Sequence, residues 1–291
     1  MGVMRISVAA LVVLLTGLVG GIVAPPVMAE PSTAAHPAAA VPADAVRPLA
    51  HAHAHNDYEH DRPLLDALDH GFTSVEADVW LVDGELYLGH DAPDLTRTLT
   101  ATYLQPLADR VRAGHGSVYP RWDGSLQLLI DVKSDAATTW PVIEEQLARF
   151  PRLFTTYADG AVRRGPVTAV ISGNRDLAAM RSATVRRSFY DARLAELDDG
   201  LPSSLVAMVS EDWKTTFLWR GIGPFLGRAR LERMVADAHA RGYTIRFWDT
   251  PDVDRPRRAR IWQAELDAGV DWLNTDDLAG LQAFLAGQSV S

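Results

Sequence analysis

Cysteine is absent from all 291 residues. Without it there can be no disulfide, no thiolate nucleophile, no thiolate-rich zinc site and no lipid attached through an N-terminal cysteine. A surplus of positive charge is missing too. The chain has 28 Lys and Arg against 37 Asp and Glu, for a formal net charge of −9. That balance excludes the electrostatic footprint of a nucleic-acid binder, and it excludes attraction to anionic membranes by bulk charge, leaving only local patches such as residues 255–260. Internal repeats are also lacking, so solenoid and propeller architectures drop out.

Long apolar runs are scarce in the body of the chain, but one stands at the start. Arg5 precedes an apolar stretch over residues 6–23, and Val27-Met28-Ala29 follows it. This is the pattern of a secretory signal with its cleavage site, so residues 1–29 are expected to be a signal peptide and the mature chain to begin at Glu30. A retained anchor is the alternative, because about 18 apolar residues could nearly span a bilayer. The Gly and Ala content and the cleavage-like ending favour export, with no stable membrane anchor after cleavage. Residues 30–46 are rich in Ala and Pro without periodicity and read as a flexible linker. The remainder, 47–291, has the length of a single α/β barrel and is expected to act as a monomer outside the cell.

Strand-like and helix-like stretches alternate through that remainder. Eight strands are predicted over 48–55, 73–80, 126–132, 167–172, 185–190, 204–210, 244–248 and 270–274. Amphipathic helices are predicted over 63–70, 140–150, 177–187, 229–240 and 257–268, with Gly71, Gly242 and Gly269 as stops. Residues 82–124 are irregular. Eight such alternations predict a (β/α)8 TIM barrel. Polar residues gather where the predicted strands end: His55, Glu76 with Asp78, Asp131 with Lys133, Ser172 with Asn174, Asp191, Glu211, Trp248 with Asp249, and Asn274 with Asp276. In barrels of this type, catalytic sites are built at that rim.

Three stretches carry the chemistry. In SVEADVW, Glu76 and Asp78 alternate with Val75, Ala77 and Val79 and so share one face. A solvated hairpin is the bland alternative, but carboxylates inside an apolar run would be buried, and buried carboxylates need a cation. Asp83-Gly84 marks a turn, and a second run leads to His90-Asp91. In LLIDVKS, Asp131 and Lys133 alone would be an ordinary ion pair. Beside the first stretch, Asp131 becomes a third metal carboxylate and Lys133 a counter-charge for an anionic oxygen. Oxygen ligands without cysteine predict Mg²⁺ or Ca²⁺. In HAHAHNDY, His51 is assigned a structural role. His55 is chosen as the catalytic residue because it adjoins the Asn56-Asp57-Tyr58 loop, whereas His53, the alternative, lies about 7 Å deeper. Trp248 could form an apolar wall for a substrate. The Trp213, Phe217, Leu218 and Trp219 cluster beside Gly221-Ile222-Gly223-Pro224 could be packing, a lid or an apolar groove.

Together these stretches resemble the phospholipase C-like phosphodiesterase superfamily in its glycerophosphodiester phosphodiesterase-like branch. Within it they are similar to the altered inheritance of mitochondria protein 6 group, which has HAHNDY near its start. The family's Glu-x-Asp metal pair resembles Glu76 and Asp78, its His-Asp after a hairpin resembles His90-Asp91, and its acid-x-Lys resembles Asp131-Val132-Lys133. A strand-seven Trp matches Trp248, and the closing motif matches Gly269-Val270-Asp271 and Thr275-Asp276. The likeness runs over residues 47–285. It implies hydrolysis of a phosphodiester, phospholipid-derived or soluble, with His55 as general base, His90 as general acid, Lys133 on a non-bridging oxygen and Asn56 near the substrate.

There are departures. The family's His-Arg-Gly turn is replaced by His55-Asn56-Asp57, and its Glu-Asn-Thr motif is missing, which removes one phosphate contact. Sphingomyelinases D of the same superfamily carry His-x-x-Asn, a spacing that selects His53 with Asn56 and a cyclising reaction. Two further alternatives are a zinc amidohydrolase or histidinol-phosphatase-like barrel, which would need histidines on strands four to eight, and an inactive anion-binding barrel.

Overall fold

The computed structural model describes residues 46–252 and 254–288. The expected signal peptide and nearly all of the expected linker therefore lie outside the described residues. Within them lie thirteen strands and eight α-helices.

The strands are β1 (Leu49–Ala54), β2 (Phe72–Val82), β3 (Glu85–Leu88), β4 (Asp94–Thr98), β5 (Leu126–Val132), β6 (Thr156–Ala158), β7 (Ala161–Arg163), β8 (Val167–Gly173), β9 (Val185–Arg186), β10 (Ser188–Ala192), β11 (Val206–Asp212), β12 (Thr244–Trp248) and β13 (Leu273–Thr275). The helices are α1 (Leu65–Asp69), α2 (Gln105–Ala113), α3 (Ala136–Ala148), α4 (Leu177–Ser182), α5 (Trp213–Phe217), α6 (Arg228–Ala240), α7 (Arg255–Ala268) and α8 (Leu278–Gln288). Eight strands form a parallel path in the order β12-β11-β10-β8-β5-β2-β1-β13. Such strands are buried on both faces, and LQLLIDV and VTAVISG are correspondingly apolar almost throughout. At the two ends of the path, Arg246 of β12 bridges to Trp272, and the amides of Asp271 and Trp272 donate to the Ile245 carbonyl.

Register places the site. Asp78 of β2 pairs directly with Asp131 of β5, which pairs with Ser172 of β8. Neighbouring strands are about 4.8 Å apart, so this row forces two carboxylates side by side at the C-terminal end of the sheet. β2 runs on past the sheet and turns back as β3 through Asp83 and Gly84, both at positive φ (49° and 85°). Two consecutive residues in that region make the tight hairpin turn that Asp-Gly favours.

The predicted strands over 126–132 and 244–248 match β5 and β12. The predicted strand over 185–190 is two elements. Val185 and Arg186 pair antiparallel with β6 in a small three-stranded sheet, and only Ser188–Ala192 joins the main path. The preceding helix stops at Ser182 instead of reaching 187, because Ala183 turns extended (φ −68°, ψ 126°) and Arg186 is buried over the Tyr157 ring. α3 begins four residues earlier than predicted, capped by the Asp135 side chain on the Thr138 amide. The last strand is short, Leu273–Thr275.

Candidate active site

A cavity of about 370 Å³ opens at the C-terminal ends of the strands, lined by His55, Asn56, Glu76, His90, Asp131, Lys133, Ser172, Gly173, Asn174, Arg193, Arg246 and Trp248 among others. Every catalytic, metal and substrate residue expected from the sequence lines it, except Asp78 and the alternative His53, which are fully buried beneath.

Glu76, Asp78 and Asp131 each offer a carboxylate oxygen, and the three oxygens lie within 4.8 Å of one another. Asp78 Oδ2 accepts from Tyr58 Oη (2.8 Å) and Lys133 Nζ (2.9 Å) and faces His90 Nδ1 (2.9 Å). Its Oδ1 is buried without a partner. Glu76 uses Oε2 for Arg246, which leaves Oε1. An orphaned carboxylate oxygen beside two further carboxylates is the donor set of a hard divalent cation, so these residues fit one. The charge state agrees. Burial pushes Asp131 up to about 6, helped by the negative charge of Glu76, although Lys133 at 3.1 Å pulls the other way. Lys133 loses basicity to burial but gains more from Asp131 and Asp78, so its ammonium is held. Gly173 ends β8 at positive φ (65°) against this group. A Cβ there would collide with Asp131 Oδ1 and the Val132 backbone, so only glycine allows β8 to close in.

His53 on β1 and His55, one residue beyond its end, have opposite surroundings. His53 is fully buried. Arg246 Nη1 donates to its Nε2 at 2.5 Å and to Glu76 Oε2 at 3.0 Å, so the ring proton sits on Nδ1, which donates to Ser74 Oγ at 2.6 Å. Burial, and then the Arg246 charge, lower its pKa to about 4, and it is neutral. Glu76 is raised by burial but held well below the usual range by Arg246 and the histidines. His55 is partly exposed, with Nδ1 against Asp276 Oδ1 at 2.8 Å. Burial lowers its pKa, but the Asp276 bond and the charges of Glu76 and Asp276 outweigh that and raise it above 6.5. Its Nε2 is left for the cavity. His90 is half-exposed on the far side, brought there by the β2–β3 hairpin.

Two cations in this site were not singled out from the sequence. Arg246 stands in mid-strand two residues before Trp248, hence on the same face, and that alternation was its signal. Arg193 follows β10 and reaches back, Nη1 donating to Asp191 Oδ2 (2.8 Å) and Ser210 Oγ (2.9 Å). Asp191 is buried and also accepts from Ser172 Oγ (2.7 Å). Nothing in the local sequence announces that reach. Asn56 sits at φ 47°, where a small polar residue is tolerated, with its side chain 3.1 Å from Tyr58 Oη, whose proton goes to the nearer Asp78.

The family model for the AIM6-like phosphodiesterase domain matches residues 43–191. Altered inheritance of mitochondria protein 6 from Lachancea thermotolerans is 30% identical over 271 residues, 78% of this chain and 63% of the relative. The protein of that name from Eremothecium gossypii is 30% identical over 270 residues, 81% and 69% of the two chains. The homolog from Arthroderma benhamiae is 29% identical over 265 residues, 80% and 82%. The chain thus spans less than two thirds of the Lachancea protein. Among solved structures, a calcium-dependent phosphoinositol-specific phospholipase C from a Pseudomonas species superposes with a TM-score of 0.52 at 14% identity, covering 79% of this chain and 89% of that one. A protein assigned as a glycerophosphoryl diester phosphodiesterase from Silicibacter pomeroyi gives 0.50 at 14%, covering 84% and 94%. Those two likenesses show a shared fold; the match of the domain model and the relatives at 30% identity place the chain in the AIM6-like phosphodiesterase family.

Proposed function

We propose that this protein is an exported phosphoric diester hydrolase on a closed (β/α)8 barrel, dependent on a divalent cation. The observation that carries the reading is the convergence of three carboxylates, two carboxylate-backed histidines and a lysine on one cavity. The Arg246–Trp272 bridge between the ends of the strand path supports closure. Residues 1–29 support export, and sequencing of the mature protein is expected to start at Glu30.

A cation held by Glu76, Asp78 and Asp131 would supply positive charge to the non-bridging oxygens of the diester. His55 removes the proton of the attacking hydroxyl through Nε2, its ring oriented by Asp276 on Nδ1. His90 is oriented by Asp78 in the same way and delivers a proton to the leaving oxygen. Lys133 balances one phosphate oxygen. Arg193, held out by Asp191, offers the cavity a second guanidinium where the His-Arg-Gly arginine is missing. His53 has both nitrogens engaged and no exposure, which supports His55 as the base.

The test is a panel of phosphodiesters and monoesters followed by phosphorus NMR. Diesters are expected to turn over and monoesters to persist, with activity lost to a chelator and restored by Mg²⁺ or Ca²⁺. Where the substrate carries a hydroxyl beside the phosphate, a cyclic phosphate should precede the monoester, because internal attack has a high effective molarity. No turnover of any diester by metal-loaded protein would leave the inactive anion-binding barrel.

A further inference from the structure

We infer that the segment between β11 and α6 is a lipid-surface anchor, which makes the substrate of the proposed diesterase a diester presented at a membrane interface. The three most exposed large apolar side chains among the described residues all lie here: Leu226 at 92%, Leu218 at 81% and Ile222 at 61%. Isolated exposed aliphatics are ordinary, but three within nine residues are not.

Packing and hydrogen bonds within the segment fix this display. Trp213 is fully buried, and Phe217, Trp219 and Phe225 pack around it with ring centroids 4.6–6.5 Å apart. Trp213 Nε1 donates to the Trp219 carbonyl and Trp219 Nε1 to the Ile222 carbonyl, both at 2.9 Å. The aromatic rings therefore form an inward-facing base pinned to the loop's own backbone, and the aliphatic side chains project from it. A flap meant to fold over the cavity would not be held this way.

Position and charge favour a bilayer as the occupant. β11 ends at the same rim as the catalytic cavity, and Arg220 of the segment lines a second cavity, of about 300 Å³, that shares His55 with the first. Arg220 and Arg230 have no carboxylate partner among the described residues, and Arg230 lies over the Phe217 ring. The neighbouring acids are engaged: Asp249 with Lys214, Asp252 with Arg258, and Asp212 in capping α5. Projecting aliphatics flanked by arginines without carboxylate partners suit insertion among acyl chains below phosphate headgroups.

The inference builds on the phosphodiesterase reading, but binding can be followed without turnover, so the two can fail separately. The chain has no cysteine, so Ile222→Cys can carry a single polarity-sensitive dye. Val162→Cys, on the connection entering β8 at its other end, serves as the control. With phosphatidylcholine vesicles the dye at 222 should shift to the blue and the dye at 162 should not, and anionic lipid should strengthen the shift. The triple variant Leu218→Ser, Ile222→Ser, Leu226→Ser should keep its rate on a soluble diester and lose more than tenfold on the same diester borne by vesicles. Absence of a shift on both vesicle types overturns the anchor. So does a shift that appears without lipid and grows with protein concentration, which would mean that a second copy covers the loop. A shift at 222 from a protein that cleaves no diester would keep the anchor and discard the activity.

Discussion

His53 in β1 and His55 just past its end are two residues apart, yet they belong to two different environments. At the floor, His53, Ser74, Glu76 and Arg246 are bonded to one another, with the imidazole neutral and the carboxylate charged. At the mouth, His55, His90 and Lys133 each keep part of their hydrogen-bonding capacity for the cavity, although each is anchored on a carboxylate. The step between them is one strand repeat. Depth along the strand, more than residue type, separates the groups that hold the site from those that can react in it.

Substitutions at the two levels should therefore fail differently. At the mouth, His55→Ala and His90→Ala should each lower kcat about 10²–10⁴-fold with little change in melting, whereas His53→Ala should lower it less and destabilise more. Steady-state kinetics paired with denaturant titration check this, and an inactive His53 variant beside an active His55 variant would reverse the roles. At the floor, Arg246→Met strips the counter-charge from a buried Glu76. A loss of about 3–5 kcal/mol in unfolding free energy is expected, read from denaturant titration. Between the levels, Glu76→Ala, Asp78→Ala and Asp131→Ala should stay folded and each lose Mg²⁺ or Ca²⁺ binding by calorimetry; three variants that bind like the parent would refute the ligand assignment.

Two smaller effects sharpen the contrast through pH. Burial raises Asp57, which accepts from Tyr103 Oη and the Leu64 amide, to about 7, against 3.8 in the unfolded chain. Between those values the folded state holds a proton that the unfolded state has released, so the contribution of Asp57 to stability is fully present below 3.8 and is lost as pH rises to 7. Asp57→Asn should flatten that decline and raise stability at pH 8 by on the order of 1–4 kcal/mol. At the mouth, Asp276 raises the pKa of His55, so a base at His55 puts the acid limb of kcat/KM above pH 6.5. Asp276→Asn should move that limb to lower pH, and an unmoved limb would mean that another group titrates there.

The parts of the site that were legible in the sequence are those set by local periodicity. Glu76 and Asp78 alternate with apolar residues, Asp131 and Lys133 do the same, and Asp-Gly announces the turn that delivers His90. The pairings that hold these groups were not legible, because they join residues far apart in sequence. His55 meets Asp276 across 221 positions and His53 meets Arg246 across 193. Such contacts exist only once the first strand lies beside the last. The helix and strand around 177–192 misled for another reason: a two-residue pairing with β6 interrupts the local pattern. The start of α3 was missed although Asp135 is a good cap, since Thr138, Thr139 and Pro141 disfavour a helix.

The β2–β3 hairpin limits how this region can change in length. Glu76, Asp78 and His90 lie on one continuous stretch, so the spacing between the proposed metal ligands and the proposed acid is set by counting residues around a two-residue turn. Inserting or deleting one residue there would shift the pairing of β3 and turn its side chains to the opposite face. Paired insertions that lengthen both arms equally would only extend the tip, keeping Val79 opposite Leu88 and His90 beside Asp78. Relatives that retain this arrangement should therefore differ here only by paired changes, and an unpaired insertion or deletion in either arm would itself mark a chain that has lost or exchanged the proposed proton donor.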